Sequence, residues 1–435
     1  MGLTLIHILF LLCTALFFLV MFFSTADLNK EFLKYMILIF PFLGVSITIN
    51  VLTIAVFDLL TVLFFLFFYT SKNRILFTNG LYFFIFVVLT TVIGLGMLLA
   101  ESLTNETLHV LVQYVSIAIF AKILIDELFE DPLFFFIVVH YFKIALITSL
   151  FFLIGQFVFG AGFTFERGIN LNVFGTVVGM AQDRLPSFFQ DPQKYAQFLA
   201  ATSFLFLVKD AVASKPNWIN YLMLLLAIVA LFVTGGRAAF GGWMIGILVI
   251  ALLGKPQTRY VLIFSFIVLG SIAYNYSENF ALLNRDSSVG DAYDFRYAIW
   301  EDAFKIFKDN PIVGIGVGNY ANYVSVHNPD QFWMSENDMI FYDHPESGYL
   351  KLLTEFGAVG FIATFAFFLI PIYKGAMLFI KNKDMNILLL IAALGSWSIG
   401  FYTVYSISDI RIRLLIVSII CLLIDRNKWG VANAK

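Results

Sequence analysis

The chain has 435 residues, of which 60% are hydrophobic, 18% aromatic and 13% charged, with a formal net charge of −2. Soluble domains carry about 25% charged residues, so this composition excludes a soluble globular enzyme, a disordered chain and a nucleic-acid binder held by phosphate contacts. Cys13 and Cys421 lie in apolar runs and read as buried thiols, not as a disulfide framework or a zinc site.

The apolar runs are continuous and about 20 residues long, which indicates spanning helices, not the short alternating strands of an outer-membrane barrel. The expected fold class is therefore an all-α polytopic membrane protein. In chain order the candidate spans are 3–24, 35–51, 52–70, 79–100, 107–128, 132–158, 195–213, 217–234, 237–254, 259–276, 355–373, 385–405 and 410–425. The first run has no basic start and is long enough to span, so it reads as a retained helix and not as a signal peptide. This gives thirteen spans. No charged loop separates the second run from the third at Asn50, so twelve is the alternative. The chain divides into N-terminal spans (1–160), a loop (161–194), further spans (195–276), a large loop (277–349), and C-terminal spans with a tail (350–435).

Short-loop cations set the orientation. Lys30 and Lys34, Lys72 and Arg74, Lys209 and Lys215, Lys255 and Arg259, Lys374, Lys381 and Lys383, and the C-terminal Arg426, Lys428 and Lys435 fall on one side, which is assigned as cytoplasmic. Both long loops then face outward. Seven of the ten Arg (Arg167, Arg184, Arg237, Arg285, Arg296, Arg411 and Arg413) map to the outward face, against four of seventeen Lys. Positive-inside bias disfavours cations there, and the planar donor fork of Arg suits phosphate and carboxylate. For any one Arg, pairing with a local carboxylate is an equally good account.

Four constellations carry chemistry. Arg184-Leu-Pro-Ser-Phe-Phe-Gln-Asp-Pro precedes a helix entrance. Thr234-Gly-Gly-Arg237 sits at a tight reversal between two spans, where a helix start would add its N–H groups to the Arg charge. In the large loop, 295, 299, 303 and 307 form an apolar helical stripe. Asn310-Pro-Ile-Val-Gly-Ile-Gly-Val-Gly follows it, and reads as a turn feeding a short helix because it lacks the strand and the GKS/T ending of a nucleotide loop. Last, Asp343-His-Pro-Glu-Ser-Gly-Tyr gathers His344 and Glu346 at a membrane re-entry. These side chains suit general-base work, and Glu346 and Ser347 equally suit a helix start.

The order and spacing of Arg184-x-x-Ser-Phe-x-x-Asp-Pro, Thr234-x-x-Arg237, Arg296-x-x-x-Trp300, Asn310-Pro-x-x-Gly-x-Gly and Glu346-Ser-x-Tyr-Leu-x-x-Leu-x-Glu-x-Gly resemble the O-antigen ligase and Wzy-type polymerase superfamily. The resemblance covers roughly residues 180–370. It implies a GT-C-like bundle of 12–13 transmembrane helices with a large, partly helical periplasmic loop, in the bacterial inner membrane. It implies a metal-independent, cofactor-free glycosyltransferase whose donor is an undecaprenyl-pyrophosphate-linked oligosaccharide, with no nucleic-acid partner. By this resemblance Arg184 and Arg237 hold the pyrophosphate, Arg296 assists, and Glu346 or His344 acts as base on the acceptor hydroxyl. Arg411 and Arg413 are candidates to close the same site from the last span. In the ligase branch a His stands where this chain has Glu346, with His344 two residues earlier. That favours a polymerase extending one lipid-linked glycan on another, with a chain-length regulator as a partner, over transfer to lipid A–core.

A transporter or flippase of lipid-linked oligosaccharide is the rival from another class. It would use intramembrane groups such as Asp58, Lys122, His140 and Lys143. His140 and Lys143, at i,i+3 on one face, read as a structural pair with Asp58 as partner. A transporter concentrates polar groups at mid-membrane in broken helices, whereas this chain concentrates them in two outward loops.

Overall fold

The computed structural model describes residues 14, 19, 27–49, 52–69, 80–99, 105–160, 162–164, 184–208, 218–254, 259–260, 267, 271, 289–327, 332–334, 339–341 and 344–432. Most of the expected spans 3–24 and 259–276, with Cys13, Arg167 and Arg285, lie outside the described residues.

The described chain is an all-α polytopic membrane protein with thirteen helices and two small hairpins. Helix α1 (Leu28–Leu38) ends in a 3-10 turn at Phe40–Phe42 that contains Pro41. Strands β1 (Ser46–Ile49) and β2 (Leu52–Ala55) then pair antiparallel, with Ile47 opposite Ile54 and Thr48 opposite Thr53. Helix α2 is only Val56–Phe67. This corrects the reading of 35–51 and 52–70 as two spans. Pro41 cannot continue a helix ladder, and Ser-Ile-Thr-Ile and Leu-Thr-Ile are rich in β-branched residues that favour strands.

Next come α3 (Gly80–Leu99), α4 (Asn105–Glu130), α5 (Phe134–Phe159), α6 (Pro192–Ser203) with a 3-10 extension at Phe204–Leu207, α7 (Trp218–Thr234) and α8 (Arg237–Leu253). The large loop contributes α9 (Val289–Asp309), α10 (Tyr320–His327) and a hairpin of β3 (Phe332–Met334) and β4 (Met339–Phe341). The chain finishes with α11 (Gly348–Asn382), α12 (Met385–Phe401) and α13 (Ile410–Ala432). By length and composition, α4, α5 and α11 can cross a bilayer, and five shorter apolar helices accompany them among the described residues.

Helix α13 is central. Ile412, Leu414, Leu415, Ile419, Ile420, Cys421, Leu422 and Leu423 are all buried, most of them in the apolar stretch that follows Arg413. Helices α8 and α12 approach closely through small residues. A Cβ added at Gly242 would collide with the Ser396 carbonyl, and one at Gly246 with the Phe204 ring. This is the small-residue packing that membranes favour, where the hydrophobic effect no longer drives helices together.

Polar contacts segregate to two ends. At one end Lys30 pairs with Asp131 at 2.8 Å, Asn29 donates to Glu127 at 2.9 Å, and Lys122 pairs with Asp126. The Lys30 hydrogen bond holds the Asp131 carboxyl below the usual range. The opposite end gathers the starts of α8, α11 and α13 with the Arg184 segment. Between the ends, Lys143 donates to the Val208 carbonyl at 3.3 Å, and the strongest charge acting on Asp58 is that of Arg413. His140 is exposed and its ring packs on Tyr141. The expected partnership of Asp58 with His140 and Lys143 is thereby corrected. On an all-apolar helix, i,i+3 spacing does not say which side meets lipid.

Helix α11 is broken at Gly357, where φ is 62° and ψ −173°. The break frees backbone groups that a bilayer cannot satisfy. The segment after α9 takes them up. Ile315 N–H donates to the Thr354 carbonyl at 3.0 Å and Gly316 N–H to Glu355 at 3.2 Å, while Ala358 N–H donates to Pro311 at 2.8 Å and Val359 N–H to Ile312 at 3.3 Å. Gly314 (φ 76°) lies so close that a Cβ would collide with the Thr354 and Glu355 backbone. The turn then feeds α10, as expected from Asn310–Gly318.

Gly357→Ala places a methyl into the Ile312 backbone as well as in a left-handed conformation. The conformation alone costs about 1–3 kcal/mol. The expected outcome is a clear fall in the apparent Tm of the detergent-solubilised protein. Gly94→Ala, where an added Cβ meets nothing within 4 Å, should leave it unchanged.

Candidate active site

The Arg184 segment has little regular structure, and buried side chains fix it instead. Gln156, near the end of α5, grips Ser187 at two points. Ser187 N–H donates to Gln156 Oε1 at 2.7 Å, and Gln156 Nε2 donates to the Ser187 carbonyl at 2.6 Å. Ser187 Oγ donates to the Ser149 carbonyl at 2.7 Å. These bonds hold Ser187 at φ 57°. Asp191 caps α6 by accepting from Gln193 N–H at 2.7 Å, with Pro192 at the first helical position.

Arg184 is buried, and its Nε donates to the Thr234 carbonyl at 2.8 Å. Thr234 ends α7 and precedes the reversal at Gly235 (φ 65°) and Gly236. Arg237 is the first residue of α8, is exposed, and follows an N-terminus that no side chain caps. The two motifs therefore meet through one hydrogen bond. The arrangement offers cationic donors and first-turn N–H groups at the same end of the bundle, a combination suited to an anion.

A second pairing joins the large loop to α11. Arg296 Nε donates to Glu346 Oε2 at 2.7 Å, with side chains 24% and 32% exposed. Glu346 has φ 44°. Such a conformation costs about 1–3 kcal/mol in a non-glycine residue and clusters at functional sites. Ser347 caps α11 by accepting from Leu350 N–H. His344 is exposed. Two of the three non-glycine residues with positive φ among those described, Ser187 and Glu346, thus lie in the motifs singled out from sequence. The third, Lys383, is an ordinary helix C-cap.

Arg411 and Arg413 are buried in α13 with internal partners. Arg411 makes two bonds to Asp409, at 2.9 and 2.6 Å, donates to the Phe188 carbonyl at 2.6 Å, and lies 4.5 Å from the Phe189 ring centroid. Arg413 donates to the Ile407 carbonyl at 2.8 Å and to Gln113 Oε1 at 2.6 Å. Arg411 therefore braces the segment that carries Arg184. Burial works against the Asp409 charge, and the Arg411 guanidinium overcomes it, holding the carboxyl below the ordinary range.

Several residues were not singled out from sequence. Gln156 is one, although a lone amide in an apolar span is itself a signal. Lys351 is another, beside the motif residue Glu355. They are buried one turn apart at 3.7 Å, with Lys351 Nζ 5.0 Å from the Tyr405 ring. Tyr349, whose hydroxyl donates to the Ser398 carbonyl at 2.6 Å, joins α11 to α12.

Residues 222–365 match the family model for O-antigen ligase. The match includes Thr234, Arg237, Arg296, Glu346 and Gly357. Arg184 precedes it, and Arg411 and Arg413 follow it. It supports an O-antigen ligase and Wzy-type family, whose members are membrane glycosyltransferase-like enzymes acting on lipid-linked glycans. No curated protein matches the chain.

Removing one member of a buried ion pair leaves the other uncompensated, at about 3–5 kcal/mol. Arg411→Met should therefore sharply lower the yield of folded protein and its Tm. Arg411→Met with Asp409→Asn should recover part of the loss, read as apparent Tm in detergent. Because the Asp409 pKa is lowered, the pair's contribution is present above about pH 4 and is lost as the pH falls through the folded-state value. The double variant should lose this part of the acid sensitivity.

Proposed function

We propose that this chain, whose residues 222–365 match the O-antigen ligase family, is a polysaccharide polymerase. It takes glycan from an undecaprenyl-pyrophosphate carrier and passes it to a hydroxyl of a second lipid-linked repeat unit, on the periplasmic face of the bacterial inner membrane. The observation that carries this reading is the Arg296–Glu346 pair at the head of α11, at the same end of the bundle as the Arg184–Thr234 link.

The bond to break joins an anomeric carbon to a pyrophosphate oxygen. As the acceptor hydroxyl attacks, negative charge grows on the departing pyrophosphate. Arg184 and Arg237 supply fixed donors to that charge. Donors of this kind are worth about 3–4 kcal/mol each where water is excluded, so two of them reduce the need for a metal ion. Glu346 takes the proton of the acceptor hydroxyl, a role worth roughly 10²–10⁴-fold. Arg296 orients the Glu346 carboxylate through the 2.7 Å hydrogen bond. His344, two residues away, is the alternative base. One displacement inverts the anomeric configuration.

Glu346 in place of the ligase His favours the polymerase over transfer to lipid A–core. For the transporter reading, the relevant feature is the broken helix α11, since transporters coordinate ions at such breaks. Here the carbonyls of Thr354 and Glu355 already accept from Ile315 and Gly316. The break is filled with backbone, which favours surface chemistry.

Purified protein incubated with a defined lipid-linked repeat unit should give a ladder of products, in the presence of EDTA as in its absence. Transfer only on addition of lipid A–core would make it a ligase, and no turnover with either would return the transporter reading. Arg184→Ala and Arg237→Ala should each cut turnover by about 10²–10³-fold while the protein elutes as a folded species. Near-normal polymer from both would remove the pyrophosphate site. Glu346→Gln should abolish extension and His344→Ala should not. The opposite result would move the base to His344.

A further inference from the structure

We propose that Trp300 and Tyr402 form the wall of a sugar-binding subsite beside the Arg296–Glu346 pair, and that it receives the acceptor glycan. The proposal rests on the glycosyl-transfer reading and adds to it where the acceptor sugar sits.

The residues form a closed circuit. Arg296 reaches Glu346 at 2.7 Å. Trp300 follows Arg296 by one turn of α9, so the two side chains share a face. The Trp300 ring meets the Tyr402 ring edge-on, with centroids 5.2 Å apart. Tyr402 lies 6.4 Å from Tyr349, and Tyr349 is three residues beyond Glu346. A carboxylate, a guanidinium and two aromatic faces thus surround one spot where the large loop meets the start of α11 and the end of α12.

That set matches the chemistry of a pyranose. One face of the ring carries C–H groups with partial positive charge, which are attracted to the negative face of an aromatic ring. The edge carries hydroxyls that a guanidinium and a carboxylate can bind in pairs.

Two features separate this cluster from ordinary packing. The first is the Trp300 indole N–H. Its nitrogen is buried and has no acceptor among the described residues. An unmade bond of this kind costs about 1–3 kcal/mol, and a sugar hydroxyl would satisfy it. Trp residues that anchor a protein at the membrane surface do the reverse and turn the polar end toward water. The second is that an accessible ring stands beside an anchored one. Tyr402 is 50% exposed, yet its N–H donates to the Ile399 carbonyl at 3.2 Å. Its neighbour Tyr349 is tied to Ser398 and packs edge-on against Phe401 at 5.2 Å. A ring fixed in advance loses little entropy on binding.

The subsite adjoins Glu346 through Arg296, so it takes the glycan whose hydroxyl Glu346 deprotonates. It recognises an apolar sugar face more than a particular linkage.

The test uses the purified full chain and two probes. One is the free glycan released by mild acid from the host's own lipid-linked carrier, followed by saturation-transfer NMR. The other is farnesyl pyrophosphate, which reports on the anion site. Trp300→Leu and Tyr402→Leu should each weaken glycan binding by about three- to tenfold and leave farnesyl pyrophosphate affinity unchanged, which also shows that the variants are folded. Trp300→Phe keeps a ring and loses the N–H, so its affinity should fall between wild type and Trp300→Leu. Unchanged glycan affinity in both Leu variants, or no glycan binding by wild type, would overturn the subsite. Glycan binding that depends on Trp300 in a protein without turnover would support the subsite and sink the transfer reading.

Discussion

The geometry of the site depends on a single constraint, the satisfaction of backbone groups at the Gly357 break. A helix entering the membrane cannot leave carbonyls and N–H groups unpaired. In α11 four such groups are paired with residues 311–316 of the large loop, through bonds of 2.8 to 3.3 Å. Because α9 leads directly into that segment, the same bonds set where α9 lies against α11. Arg296 is thereby held within reach of Glu346, and Trp300 within reach of Tyr402. Asn310-Pro-Ile-Val-Gly-Ile-Gly is thus a connector, and its glycines serve close backbone approach. At Gly314 and Gly357 the two chains come so near that each lacks room for a Cβ from the other.

The Arg184 segment is held by different means. It has no ladder to join, so side chains reach it from two helices and its own Asp191 caps a third. Gln156 pairs with both backbone groups of Ser187 much as a neighbouring strand would, Arg411 takes the Phe188 carbonyl, and Asp191 starts α6. Each of these partners is itself buried or capping, so the loop is rigid where a loop of its composition would ordinarily move. Rigid placement matters for a donor that acts on developing charge, because a donor already in position needs no reorganisation as the charge appears. The strain at Ser187 and Glu346 is sustained by these surroundings.

Much of this was legible in the sequence. Long apolar runs at 79–100, 107–128, 132–158, 217–234, 237–254 and 385–405 became helices with bounds within a few residues, since a run of that length leaves the bilayer as the only solvent in which it is comfortable. Among the motif residues, Arg184 meets Thr234 and Arg296 meets Glu346. What was not legible was structure set by tertiary contact. The β1–β2 hairpin sits in a run whose hydropathy alone cannot distinguish strand from helix. The break at Gly357 is invisible because an isolated glycine in an apolar helix is common, and only the partner segment makes it a break. Gln156 could have been flagged as a lone amide, but nothing in its own neighbourhood points to Ser187, thirty-one residues on. The aromatic circuit around Trp300 joins three separate stretches of chain, and its members become neighbours only after α9 is docked.

The excess of arginine over lysine at this end has two physical sources that sequence alone merges. Arg411 and Arg413 lie deep in α13, and their guanidinium groups serve carbonyls and side chains of several elements at once. A lysine with a single ammonium cannot span such a set, because its three donors diverge from one atom while the guanidinium presents five in a plane. There the arginine is chosen for bracing. Arg184, Arg237 and Arg296 lie at the boundary instead. Arg184 is tied to a backbone carbonyl and Arg296 to a carboxylate, while Arg237 is exposed at a helix start. The same forked group is suited there to oxygens of phosphate and carboxylate. The braced pair matters to the boundary set, since without Arg411 under Phe188 the loop that aims Arg184 would lose its floor. The architecture's need for multidentate donors thus accounts for Arg411 and Arg413 at this end of the bundle.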